Sequence, residues 1–174
     1  MNRLFLFLYL SLFIISLPTH AVDLYGELGA GYLMNDVDQT EFDSITTELR
    51  FGAYVQPQVG IELYAGVGVN DDKQIDIESG LSYMAGLAVR LESPESEGGK
   101  IFFLLGYGVA EIDVDRSGSG EPGKQSFDAV NYGLGAEFRL GNRNDLFLTV
   151  KGVRYYSKSG IGIDVAGLGI RAEF

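Results

Sequence analysis

The stretch that decides the fold is VGIELYAGVGV, Val59 to Val69. In an extended chain successive side chains point to opposite faces, so Val59, Ile61, Leu63, Ala65, Val67 and Val69 share one side. Gly60, Glu62, Tyr64, Gly66 and Gly68 share the other. One greasy face backed by a small or polar face is the pattern of a strand, and no helical spacing of apolar residues fits the segment.

The same period of two extends outward in both directions. Thr47, Leu49, Phe51, Ala53 and Val55 oppose Glu48, Arg50, Gly52 and Tyr54. Leu81, Tyr83, Ala85, Leu87, Val89 and Leu91 oppose Ser82, Met84, Gly86, Ala88 and Arg90. Tyr132, Leu134, Ala136, Phe138 and Leu140 oppose Asn131, Gly133, Gly135, Glu137 and Arg139. With Asp23 to Tyr32, Ile101 to Ile112, Leu146 to Tyr156 and Ile163 to Phe174 there are eight segments, each long enough for the ~9 to 11 residues a tilted strand needs to cross a bilayer. Tight turns at Gln56-Pro57-Gln58 and Gly141 to Asn144 alternate with polar connections at Leu33 to Phe42, Asn70 to Glu78 and Asp113 to Phe127. Short turns on one rim and long loops on the other are the asymmetry of an outer-membrane barrel. Ser93 to Gly99 is long for the turn rim, and Ser157 to Gly160 is short for the loop rim. The sequence therefore predicts an all-β fold, an eight-stranded antiparallel up-and-down transmembrane β-barrel.

Glycine decides which face is inside. A soluble barrel would turn its apolar face inward, but then the many glycines beside charges would face water without reason. A narrow lumen packed with side chains does need small residues next to large ones. The inner face then carries Glu27, Glu48, Glu62, Glu137 and Glu173 against Arg50, Arg90, Arg139, Lys151 and Arg171. Isolated buried charges cost several kcal/mol each, so these ten are expected to pair into a structural ion network. Two residues break the parity. Arg154 turns toward lipid, predicting a bulge at Gly152 or a place near the headgroups, and Asp164 predicts a bulge near Gly167 or a position above the membrane.

Composition limits the rest. Among 174 residues there are 24 glycines, 10 tyrosines and 11 phenylalanines, no cysteine and one histidine. Thiol chemistry and disulfides are excluded. A net charge of −11 excludes nucleic acid as a partner. Residues 1–21, with Arg3 followed by an apolar run from Leu4 to Leu17 and then Pro18 to Ala21, read as a secretory signal, which leaves a barrel domain over residues 22–174. The run is too short to span hydrocarbon as a helix. His20 leaves with the signal.

YGLGAEFRLGNRNDLFLTVKGVRYYS (Tyr132 to Ser157) and the closing GLGIRAEF (Gly167 to Phe174) resemble the small outer-membrane barrels of the porin-family group that includes OmpX-like proteins and the membrane domain of OmpA. The resemblance implies recognition of the last strand by the barrel-assembly machinery, through Gly169 and the terminal Phe174. Ala172 stands where a bulkier residue is expected, and Leu168 where a polar one is. Enzymes of this group rely on histidine, so the resemblance together with the loss of His20 implies a protein without catalytic residues, cofactor or metal.

Two local patterns bear on chemistry. Ser157-Lys158-Ser159 has no base-and-orienter arrangement and reads as a solvated turn. Asp113, Asp115, Ser117 and Gly118 match the start of a calcium loop, but Lys124 replaces the closing glutamate. The outer loops hold Asp36, Asp38, Glu41, Asp71, Asp72, Asp76, Asp113, Asp115 and Glu121 against Lys73, Arg116 and Lys124. The expected function is a noncatalytic, monomeric surface or envelope-integrity protein whose acidic loops meet lipopolysaccharide and its divalent ions. The alternatives are a narrow pore, a carrier with an apolar pocket at Tyr25, Phe102 and Leu104, and a secreted soluble binder. Mass spectrometry of the mature chain should find Val22 at its N-terminus, and a start far from Val22 contradicts the signal assignment.

Overall fold

Valine, isoleucine, phenylalanine and tyrosine at every second position favour a pleated chain. The structure, a computed structural model, describes residues 23–37, 40–69, 72–74, 77–116, 123–141, 145–158 and 161–174. They form strands β1 (Leu24–Val37), β2 (Thr40–Gln56), β3 (Val59–Gly68), β4 (Asp72–Gln74) and β5 (Ile77–Glu92). β6 (Gly99–Arg116), β7 (Gly123–Arg139), β8 (Leu146–Lys158) and β9 (Ile161–Glu173) complete the chain. Each strand is antiparallel to its neighbour, and the sheet closes on itself because β3 pairs with β5. β4 pairs with β5 beyond the end of β3, so β3 and β4 together occupy one of eight positions around a closed barrel.

Stagger sets the barrel's size. Followed from partner to partner, Leu24 leads to Ala53, Ile61, Val89, Leu105, Tyr132, Arg154, Asp164 and then Met34, ten residues along the strand where it began. At about 3.3 Å per residue, against eight strands about 4.8 Å apart, the strands tilt by about 40°. An eight-stranded barrel of that tilt has room inside for side chains and little else.

Leu28, Leu49, Leu63, Leu87, Leu105, Leu134 and Leu168 stand exposed on the outside, while Glu62, Arg90, Glu137 and Arg171 are wholly buried inside. In water each such leucine would forgo about 2 kcal/mol of burial, so the wall is stable against hydrocarbon rather than solvent. Outward tyrosines Tyr32, Tyr83 and Tyr107 lie toward the loop end and outward phenylalanines Phe51, Phe103 and Phe138 toward the turn end, an aromatic girdle at each interface.

The lumen has two tiers, which strand alternation alone does not reveal. Toward the turn end it is charged. Toward the loop end Leu33, Leu81, Ala110, Ile112, Val153, Ile163 and Val165 close it with an apolar cluster that continues into Met84 and Tyr155. Leu81 corrects the parity read from sequence: the register shifts between Leu81 and Tyr83, and that bulge rotates Leu81 from the outer wall into the lumen.

Three further expectations are revised. Much of the predicted loop sequence is strand: β2 begins at Thr40, β5 at Ile77 and β7 at Gly123. Past the membrane both faces of a hairpin meet water, so the alternation fades while the backbone ladder continues. No bulge occurs at Gly152 or Gly167, where β8 and β9 stay in register; the shift lies between Arg154 and Tyr156. Arg154 and Asp164 are cross-strand partners that share a two-pronged ion pair on the outer wall, Nε to Oδ1 at 2.7 Å and Nη2 to Oδ2 at 2.6 Å. The long Ser93 to Gly99 connection folds on itself: Ser93 N donates to Ile101 O, Ser96 bridges Gly99, and Glu97 and Gly98 take positive φ. Residues 1–21 lie outside the described residues.

Gly86 and Gly108 are direct partners in the β5–β6 ladder, and a Cβ on either would collide with the hydroxyl of Tyr64. They form the slot in which Tyr64 accepts a 2.6 Å hydrogen bond from Asn131 Nδ2. Gly108→Val should therefore lower unfolding stability in detergent by about 1–3 kcal/mol. Gly152→Val, whose Cβ would meet nothing within 4 Å, should leave the unfolding midpoint unchanged.

Candidate functional site

Every position around the barrel sends at least one charged side chain into the turn-side lumen. β1 contributes Glu27, β2 Glu48 and Arg50, β3 Glu62, β5 Arg90 and Glu92, β6 Lys100, β7 Glu137, β8 Lys151, and β9 Arg171 and Glu173. Charge alternates along one connected path. Lys151 Nζ binds Glu27 Oε1 at 2.5 Å and also Glu48. Arg50 binds Glu48 through Nε at 2.7 Å and Glu62 through Nη1 at 2.9 Å. Glu62 is the link between halves, since its Oε1 also takes Arg90 Nη1 at 3.2 Å. Arg90 Nη2 then meets Glu137 Oε1 at 2.5 Å, and Arg171 Nη1 meets Glu137 Oε2 at 2.5 Å. Lys100 joins Glu92 at 2.8 Å and Glu173 at 3.1 Å.

Aromatic residues complete the packing. Tyr25 donates to Glu62 Oε1 at 3.0 Å, and Tyr155 donates to Glu48 while accepting from Arg50 Nη2 at 2.8 Å. The Arg90 guanidinium lies 3.6 Å from the Phe102 ring centroid, and that of Arg171 4.0 Å from Tyr25. Stacked on rings and forked onto carboxylates, the guanidinium groups satisfy both their apolar faces and their donors.

Of the ten residues singled out from sequence, Glu27, Glu48, Arg50, Glu62, Arg90, Glu137, Lys151, Arg171 and Glu173 stand in this path. Arg139 does not. It sits at the turn-side rim, where Nε binds Glu95 Oε1 at 2.9 Å in a partly exposed pair, and that hydrogen bond holds the Glu95 carboxyl below its usual range. It is drawn there because the Ser93 to Gly99 turn brings Glu95 beside the end of β7. Glu92 and Lys100 were missed. Each lies just beyond a segment end assigned from sequence, on the inner parity, and continuing the alternation past Arg90 and before Phe102 would have found both.

The cavity between Tyr64, Ala110, Phe127 and Tyr155 measures about 10 Å³, the size of one water. Tyr25, Phe102 and Leu104, the expected walls of an apolar pocket, are 0%, 3% and 1% exposed and are covered by their neighbours. Asp113 and Lys124 face each other as ladder partners in a β6–β7 ribbon, and Ser82 Oγ donates to Asp113 at 2.6 Å. The Asp115 side chain and residues Ser117 and Gly118 of the calcium-loop pattern lie outside the described residues. No group of three metal-ligating side chains converges among the described residues. The side chains of Ser157, Lys158 and Ser159 and of most loop acids, Asp36, Asp38, Glu41, Asp71, Asp72, Asp76, Asp115 and Glu121, with Lys73 and Arg116, lie outside the described residues.

A profile of the outer membrane protein beta-barrel domain family matches residues 5–174. The chain belongs to that family. No curated protein matches it. The fold is similar to that of Neisserial surface protein A (TM-score 0.69, 11% identity, covering 87% of this chain and 97% of that one). It is also similar to Ail, the attachment invasion locus protein of Yersinia pestis, solved with the heparin analogue sucrose octasulfate (TM-score 0.66, 12% identity, 89% and 100% covered). OprG, an outer membrane protein of Pseudomonas aeruginosa, gives a TM-score of 0.59 at 12% identity, with 89% and 97% covered. At these identities the likeness is one of fold. In the barrel the ion network lies at the short-turn end and the apolar tier toward the loop end.

Glu62→Leu removes a carboxylate shared by two buried arginines, and should cost about 3–5 kcal/mol in detergent unfolding. Arg139→Leu, at an exposed pair, should move the midpoint far less. Equal effects would contradict the division between lumen and rim.

Proposed function

We infer that the protein is a noncatalytic component of the outer membrane that acts through its surface, with the barrel as a closed and rigid platform. The observation that supports this reading is the lumen, which among the described residues is filled in two tiers, by a charge path with contributors from every wall position and by an apolar cluster above it. A lumen filled in this way offers neither a water-filled pore nor a substrate pocket, so interaction falls to the wall and the loops.

The loops supply the chemistry of that surface. Their acids outnumber their bases in a chain of net charge −11. Ail is described with a heparin analogue, a polyanion. The loop charge here opposes that ligand class and suits divalent cations shared with lipopolysaccharide phosphates, an envelope-integrity role. Assembly by the barrel machinery would use the last strand. Gly169 packs against Glu27, Phe174 N donates to Leu24 O at 2.8 Å, and the Phe174 ring stands 75% exposed where another protein can reach it.

Fractionation should recover the chain, as a monomer, in the outer membrane, and planar bilayers should show no large conductance. Cells lacking it should be more permeable to large hydrophobic dyes. A chain carrying Asp71→Asn and Asp72→Asn should restore that barrier less well than the native one. Full restoration, or steady conductance, would contradict the proposal.

A further inference from the structure

Toward the loops β7 and β8 separate. Their ladder stops at Tyr132 and Arg154, although β7 extends to Gly123 and β8 to Lys158. β8 holds one extra residue there, Tyr155, since Arg154 pairs with Asp164 and Tyr156 with Ile163 on β9. A bulge bends its strand and ends pairing on the far side, whereas β7 stays in step with β6 as far as Val114 and Gly123. The wall therefore forks just above the level of Tyr107.

The groups that β7 presents to this fork follow from the opposite end of the strand. Arg139 N donates to Gly98 O, on the β6 side, and Leu140 N to Leu146 O, on the β8 side. Backbone groups alternate sides along an antiparallel strand, and β7 has no bulge against β6. Lys124, Ser126, Asp128 and Val130 thus aim both N–H and C=O into the fork, where none has a ladder partner among the described residues. Their side chains are exposed on the outer face. Phe127 and Ala129 face inward and line, with Tyr155, the water-sized cavity behind the fork. No proline interrupts Gly123 to Asn131. An open edge of this length is a template for another strand.

We propose that the β7 edge takes an added strand from an extended, basic and partly apolar segment of another protein. Alternate side chains of such a strand would meet Phe127, Ala129 and Tyr155 on the inner side, which selects apolar residues. The others would lie on the outer face, where Glu111, Asp113 and Asp128 stand against Lys124, which selects cations. A second copy in the same membrane does not fit. Copies related by an axis along the membrane normal, with strands tilted by about 40°, would cross at about 80° instead of forming a ladder. The inference rests on the surface role proposed above, which puts the loop end outside the cell.

The test is hydrogen exchange, followed by NMR, on the whole mature chain in detergent micelles. Without a partner the amides of Lys124, Ser126, Asp128 and Val130 should exchange fast, and those of Phe127 and Ala129, bonded to β6, slowly. A synthetic peptide that alternates valine with lysine and spans Gly123 to Asn131 should slow the first four by about tenfold or more. A valine–glutamate peptide should not. Ser126→Pro removes one edge donor and no rung of the β6 ladder, and should abolish that protection. Asp128→Lys keeps the edge and should shift preference toward the glutamate peptide. Heat-modifiable gel migration reports that each variant is folded. Slow exchange of the four amides before peptide is added overturns the proposal, because the edge is then already covered by this chain or a second copy. Peptide binding that leaves them fast, equal protection by both peptides, or undiminished protection in Ser126→Pro also overturns it. Exchange needs only the folded barrel, so its failure leaves the surface role standing, while a failed permeability assay leaves the open edge intact.

Discussion

The structure depends on removing charges from water without leaving any of them alone. Lipid on the outside forces the polar half of each strand inward, where a lone carboxylate or guanidinium would cost several kcal/mol. The chain meets this with alternating signs: Glu27, Lys151, Glu48, Arg50, Glu62, Arg90, Glu137 and Arg171 form a path in which neighbours are opposite. Because consecutive members come mostly from different strands, the path ties the wall together across its circumference. Glu62, held by Arg50, Arg90 and Tyr25, joins its two halves.

Glycine makes that lumen buildable. Tyrosines lie down over their neighbouring strands only where those strands carry no side chain, so Gly52 and Gly60 lie beneath the Tyr25 ring and Gly86 and Gly108 beneath the Tyr64 hydroxyl. Sealing the loop half with hydrocarbon instead of ions has a physical basis too. Leucine, isoleucine and valine fill that space without needing any polar partner. Arg154 and Asp164, paired on the outer wall, follow the same rule, each neutralising the other beside the girdle.

A barrel closed in this way separates scaffold from function. Its described interior is taken up by contacts that hold the wall in shape, and the proposed function therefore places interaction on the lipid-facing surface and the hairpin ends. The β6–β7 hairpin continues as a paired ladder as far as Val114 and Gly123, beyond the alternating part of its sequence.

Strand number, wall orientation and most of the buried charges were legible in the sequence, because a period of two with leucine on one side and glycine beside glutamate on the other has one solution in lipid. Arg139 was misplaced and Glu92 and Lys100 overlooked because strand ends are set by the turn between them, which alternation does not encode. Leu81 shows the same limit: one extra residue in a ladder flips the parity of the residues beyond it, and only the neighbouring strand reveals it. The apolar tier and the pairing of Arg154 with Asp164 were decided by tertiary structure alone. Each depends on the ten-residue stagger that brings distant residues side by side, and stagger is a property of the closed sheet, not of any segment within it.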